Sequence, residues 1–276
     1  VTPLFSELPI RRILVALDAS SHSLAALGNA VDLATRVDAE LLGLFVEDAN
    51  LLQLAALPFA REVGGVAGAG RPLDAAAMER SLKAQAERSR LALAAAAAPA
   101  RLRWTFRVVR GEVAAEVVAA SFDADLVSIG KLGRQPAAGG KLGPVARSVA
   151  AASPRPVLVA RAAISPRHGV GVLFGETPAA ERALWVAARL ARDGGGLSVL
   201  IPAPDGATGQ RLEDQARRLL SARGIAAHYR WLDSANAGEL AGLMRHDGDG
   251  LLVADADNLL VPPLLEEMDC PLLLVR

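Results

Sequence analysis

The chain repeats itself at long range, and this restricts its possible folds more than any other feature. Arg12–Ile13–Leu14–Val15–Ala16–Leu17–Asp18–Ala19–Ser20 matches Gly169–Val170–Gly171–Val172–Leu173–Phe174–Gly175–Glu176–Thr177 at an offset of 157. The offset holds without gaps through the next helix and strand, so that Leu27 meets Leu184, Ala34 meets Ala191 and Leu44 meets Ile201. Phe106–Arg107–Val108–Val109 matches Tyr229–Arg230–Trp231–Leu232, and Pro156–Arg161 matches Pro271–Arg276. A repeat of well over ~100 residues means tandem domains rather than a solenoid. The expected division is 1–163 and 164–276, with the connection at Ala162–His168, where Pro166 opposes continued pairing.

Within the first unit, short apolar runs alternate strictly with helical patterns. Strands are expected at Arg12–Leu17, Leu41–Val46, Arg103–Val109, Leu126–Ile129 and Val157–Ala160. Helices are expected from Ser20 or Ser21 to about Val37, Leu73 to Ala97, Val113 to Phe122, and after Gly143. Strand–helix alternation implies right-handed crossovers and a parallel sheet covered on both faces. The interior must be built from Ala, Val and Leu, because 52% of the residues are hydrophobic and aromatics are 4%. The expectation is an α/β protein with two doubly wound domains, each a five-stranded, mainly parallel sheet flanked by helices.

Open sheets of this kind bind ligands beyond the carboxyl ends of their strands. Asp18, Val46 and Gly130 fall at those ends. Gly130–Lys131–Leu132–Gly133 leaves the fourth strand, and Gly143–Pro144 follows before the next helix. Spaced glycines leave amides uncovered, and a helix N-terminus attracts anions, so this loop suits a phosphate. A plain strand-to-helix connection has the same composition. A Walker A loop is excluded, because Gln135 replaces its first glycine and Leu142 follows Gly140–Lys141. An ordinary dinucleotide fingerprint is excluded too, because Asp18–His22 contains no glycine.

Other function classes are disfavoured. Thirty basic residues balance thirty acidic ones, which argues against broad nucleic-acid binding. The single cysteine, Cys270, excludes an internal disulfide framework and a cysteine-cluster metal site. The first residues do not read as a signal peptide, and no apolar run reaches membrane-spanning length, so a cytoplasmic protein without membrane contact is expected. His22 lies among serines, but neighbours in sequence do not make a nucleophile–base pair, and no enzymatic activity is expected. His22 is expected to be exposed in the first helical turn. Lys131, Lys141 and Arg147 are expected on the solvated surface, or otherwise as compensating charge for a phosphate.

The chain resembles the universal stress protein family. The resemblance rests on Ile13–Ser20, on Val109–Arg110–Gly111–Glu112, on Ala124–Gly130, and on the glycine loop followed by Pro154–Val159. It covers residues 10–161, and residues 169–276 resemble a second, eroded copy. It implies the fold of the adenine nucleotide alpha hydrolases. It also implies pairing of the two domains through their last strands as an intrachain pseudo-dimer, with a further homodimer left open. Many members bind ATP through Gly, two residues, Gly, nine residues, Gly, then Ser or Thr. Gly130, Gly133 and Gly143 match that spacing, whereas Pro144 replaces the final hydroxyl residue and lacks a backbone N–H. The resemblance places Asp18 near the nucleotide and the Val46 backbone at the adenine. It implies ATP, with or without Mg²⁺, as ligand, and stress-linked sensing or protein interaction as function. The alternatives are a nucleotide-free scaffold for a protein partner of unknown identity, and a slow ATP hydrolase. The second copy has Gly175 for Asp18, Ala203 for Val46 and Asp255–Ala256–Asp257 at the strand-four exit. It is expected to pair with the first copy rather than bind ATP. Asp255 and Asp257 are expected to form a solvated turn.

Overall fold

The computed structural model describes residues 10–57, 61–62, 71–72, 74–133, 141–162, 169–177, 179–191, 196–232, 236–247 and 249–276. All of the expected connection except Ala162, residues 58–60, 63–70 and 73, and the loop interior 134–140 lie outside them.

In the first half, β1 (Arg12–Ala16) leads through a Ser20 cap into α1 (Ser21–Val37), and β2 (Glu40–Asp48) follows. A short α2 (Ala49–Ala55), capped by Asp48, and a two-residue pairing of β3 (Arg61–Glu62) with β4 (Arg71–Pro72) are additions to the expected alternation. Then come α3 (Ala75–Ala97), β5 (Trp104–Gly111), α4 (Val113–Ser121), β6 (Leu126–Gly130), α5 (Pro144–Ala152) and β7 (Val157–Ala160). The second half repeats the plan with β8 (Gly169–Leu173), α6 (Ala180–Leu190), β9 (Leu197–Pro202), α7 (Gly206–Ser221), β10 (His228–Leu232), α8 (Ala237–Asp247), β11 (Asp249–Asp255), α9 (Val261–Glu267) and β12 (Leu272–Val275). No helix among the described residues is long and apolar enough to cross a membrane.

The two expected five-stranded sheets are one ten-stranded sheet, ordered β10-β9-β8-β11-β12-β7-β6-β1-β2-β5. Every pairing is parallel except the central one, where β12 meets β7 antiparallel with Leu273 opposite Leu158. Strand alternation divides the core between the two faces. Ile13, Val15 and Leu17 point to the face covered by α1, α3, α6 and α7, whereas Leu14 points to the face covered by α4, α5, α8 and α9. Each of these apolar layers runs unbroken through both halves of the sheet.

Charged side chains fasten the central seam. The Lys131 side chain is buried at the end of β6, and its ammonium donates to the Glu266 carbonyl at 3.0 Å and the Met268 carbonyl at 2.6 Å. These are carbonyls at the C-terminus of α9, which the helix leaves unpaired and which favour a cation. Arg147 pairs with Glu266, and Arg161 pairs with Asp269. Arg276, the repeat counterpart of Arg161, donates to the Ala150 and Ala151 carbonyls at the end of α5. The expectation of a solvated or phosphate-facing Lys131 is therefore corrected: its reach is toward the other half of the sheet.

Candidate functional site

Strand order reverses between β1 and β6, so α1 and α5 leave on opposite faces and a crevice opens between them. This is where doubly wound sheets place ligands. Its first wall is the β1–α1 turn. Asp18 Oδ1 accepts from the Ser20 N–H at 2.9 Å, and Ser20 Oγ accepts from the Ser23 N–H at 3.1 Å. Ala19 between them has φ 60°, a left-handed conformation that costs an alanine on the order of 1 kcal/mol. The two side-chain caps on either side hold it there. Among the described residues Asp18 Oδ2 has no partner of its own, and it lies 3.6 Å from where a Cβ on Gly133 would sit. The carboxylate and the glycine loop are thus neighbours in space.

The second wall comes from β2, which runs two residues beyond the expected end at Val46. Leu44 accepts from the Leu17 N–H at 2.9 Å, so its backbone groups face β1. Backbone direction alternates with a period of two, so the N–H and C=O of Val46 face the same way. The β1–β2 ladder ends at Ala16 and Leu44, and the Val46 groups therefore open into the crevice beyond it.

The three loop glycines serve different purposes. A Cβ on Gly130 would lie 2.7 Å from the His22 carbonyl carbon and 2.8 Å from the Ser23 nitrogen. This glycine exists because α1 starts directly against the end of β6. Gly133 has open space around it apart from Asp18. Gly143 donates its N–H to the Lys131 carbonyl at 2.8 Å, which closes the loop on itself. Pro144 follows as the first residue of α5, whose cap makes no side-chain hydrogen bond. Two adjacent positions of the motif thus offer a phosphate no N–H.

His22 is half-buried rather than exposed, and its Nδ1 is buried without a hydrogen-bond partner. A buried polar atom of this kind needs an explanation. It stands at the start of α1 beside Gly130, within the crevice wall. Lys141 is exposed. Arg147 is committed to Glu266 and does not supply charge to the crevice.

The corresponding end of the second half is built differently. Asp255 is 1% exposed, so the expected solvated turn is corrected at this residue. Its Oδ1 accepts from the Asp257 N–H at 3.0 Å, and its Oδ2 is buried without a partner. Asn258 Oδ1 accepts from the Leu260 N–H in the turn before α9. A Cβ on Gly175, the counterpart of Asp18, would lie 3.6 Å from Asn258 Nδ2. No group of three potential metal ligands occurs among the described residues.

The sequence reading missed Glu266, Asp269 and the Lys131 contact, which matter because they tie the glycine loop to the seam. A signal was present in the arginines that end both copies, Arg161 and Arg276.

Comparison with known proteins follows the same lines. A family model described as the universal stress protein family matches residues 9–161. A universal stress protein from Archaeoglobus fulgidus DSM 4304 is 17% identical, with 98% of this chain and 99% of that chain covered at a TM-score of 0.75. A putative universal stress protein from Pseudomonas aeruginosa UCBPP-PA14 is 16% identical, with 96% and 93% covered at 0.57. The cytoplasmic domain of a prokaryotic cation chloride cotransporter is 12% identical, with 96% of each chain covered at 0.52. At these identities the likeness is one of fold. No curated protein matches the chain.

Proposed function

The chain belongs to the universal stress protein family, and from that premise we propose that its first half binds an adenine nucleotide, ATP foremost, in the crevice between β1 and β6. The second half acts as a built-in pairing partner, and occupancy is coupled to stress-linked sensing. The observation that carries this reading is the meeting of Asp18 Oδ2 with Gly133 beside the open backbone groups of Val46. A carboxylate edge suits a ribose hydroxyl, and a free N–H and C=O pair suits the adenine edge. Gly133 lets the ligand approach the backbone.

The fit is better for the nucleoside than for the phosphates. The Gly143 N–H is already bonded and Pro144 has none, so the N-terminus of α5 begins its anion attraction at Val145 and Ala146. Mg²⁺ arriving with the phosphates would meet Asp18 as its carboxylate. We therefore expect ATP to gain little over adenosine, because each charge-assisted hydrogen bond the loop withholds is worth roughly 1.5–3 kcal/mol, about tenfold to a hundredfold in affinity. The Pro144→Ser variant restores a hydroxyl and an N–H. It is expected to tighten ATP by tenfold or more, with adenosine unchanged.

The same closed loop favours one competing reading, a nucleotide-free interaction scaffold. Calorimetric titration of the wild type, Gly133→Val and Pro144→Ser with ATP and adenosine separates the two. Saturable binding lost in Gly133→Val supports the nucleotide reading. Absence of heat with both ligands at millimolar concentration, in wild type and Pro144→Ser alike, leaves the scaffold. ATP turnover would move the assignment to a slow hydrolase.

A further inference from the structure

A cavity lies away from the crevice, between α1 and α6, over the β7–β12 seam. Its volume is about 430 Å³, within the ~300–1,000 Å³ of small-molecule sites. Leu33 and Val37 of α1 face Val186 and Leu190 of α6 across a floor that includes Leu273. Arg36 donates to the Leu190 carbonyl at 3.2 Å and bridges the two helices. Beyond lies a smaller recess of about 40 Å³, lined in part by Asp32 and Arg36.

Among the described residues, the charged side chains that line the main cavity are those of Arg182, Arg189 and Arg276, all of one sign. Arg182 and Arg189 lie seven residues apart on one face of α6 and are exposed. Arg276 Nε is buried without a hydrogen-bond partner, although its Nη2 holds the end of α5. An apolar trough rejects a wholly polar ligand, since burying polar groups without partners is costly. Guanidinium groups select a carboxylate by paired, charge-assisted hydrogen bonds. From this combination we infer that the groove between α1 and α6 is a binding site for a single-chain amphiphilic carboxylate of the free fatty-acid class. The chain lies over the seam and the carboxylate meets the α6 arginines. The site draws on both halves of the sheet, so its occupant would brace them together.

Dodecanoate below its micelle concentration is the probe, with dodecanol and dodecyltrimethylammonium as neutral and cationic partners of equal chain length. Trp185 lines the cavity, so its fluorescence reports occupancy, and a Trp185→Phe variant identifies that signal against the other two tryptophans. One dodecanoate per chain is expected, bound more tightly than either control. The Arg182→Gln, Arg189→Gln double variant should weaken dodecanoate tenfold or more, by loss of the charge-assisted contacts, and leave dodecanol unchanged. Both positions are exposed, and the ligand-free melting curve of the variant verifies that its fold is intact. Equal affinity for dodecanoate and dodecyltrimethylammonium, or indifference of dodecanoate to the double variant, overturns the inference. Dodecanoate binding that emerges only after deletion of residues 1–9 also overturns it, and assigns the groove to the chain's own first residues, which lead into Ile10 at its edge.

Discussion

Replacing Gly130 with valine is expected to destabilise the protein by at least about 3 kcal/mol, near the upper part of the range for single substitutions. Replacing Gly133 with valine is expected to leave stability within about 0.5 kcal/mol, as for an open position. The two glycines belong to one motif, but their surroundings differ. A Cβ at position 130 meets backbone atoms of His22 and Ser23 at 2.7 and 2.8 Å, and neither can move without lifting α1 off the sheet. At position 133 the nearest atom is Asp18 Oδ2 at 3.6 Å. A valine there occupies the approach to Asp18 and should abolish nucleotide binding in a folded protein. Urea melts of both variants beside ATP titration check this. A stable Gly130→Val protein would mean that α1 does not seat against β6 as described.

The second large effect concerns the seam. Lys131→Ala is expected to cost about 2–4 kcal/mol, because a buried and a part-buried carbonyl at the end of α9 lose a charged donor and a void remains. For units of this size that corresponds to roughly 4–16 °C in melting midpoint. Lys131→Met should cost less, since it fills the space and removes the burial of a charge. The wild type carries a pH signature that both variants lack. Burial, and then the neighbouring Arg161, hold the Lys131 ammonium below the ordinary lysine value of 10.5. Between the lowered folded pKa and 10.5 the unfolded chain binds more protons than the folded one. Stability attributable to this group therefore rises with pH through that window and is flat below it. Melts from neutral pH toward 10.5 should show this rise relative to Lys131→Met. Parallel curves would remove Lys131 from the seam's energetics.

The scaffold was legible in the sequence for a definite reason. Apolar runs of strand length alternate with helical periodicity, and both signals are local. The doubled pattern at an offset of 157 then announces two copies. β7 occurs at the expected residues, and α1 ends where expected. Glu47 and Asp48 read as polar loop in the sequence, whereas pairing with Arg110 and Gly111 on β5 extends β2 over them. Helix α2 was missed because its seven residues are too few for a periodic signal.

The candidate site divides in the same way. Spacing alone located Gly130, Gly133, Gly143 and Asp18, because strand ends in a doubly wound sheet converge by topology. Spacing does not say which amide is free. That the Gly143 N–H is spent on Lys131 depends on how the loop closes. That Gly130 serves the seat of α1 depends on a helix over 100 residues away in the chain.

What the amino-acid order determined by itself is the layered α/β plan, its duplication, and the positions where a ligand can meet strand ends. These follow from side-chain periodicity and backbone permissiveness, which act between near neighbours. The last strands that the resemblance expects to pair are β7 and β12, and the tertiary structure decided that their pairing fuses the two sheets into one. It also decided that Lys131 turns away from the crevice to cap α9, and that α1 and α6 stand apart over an arginine-rimmed groove. Each of these depends on which distant surfaces become buried together. Burial, rather than residue type, sets whether a lysine is solvated, whether an aspartate turn is dry, and whether an apolar face remains open to a ligand.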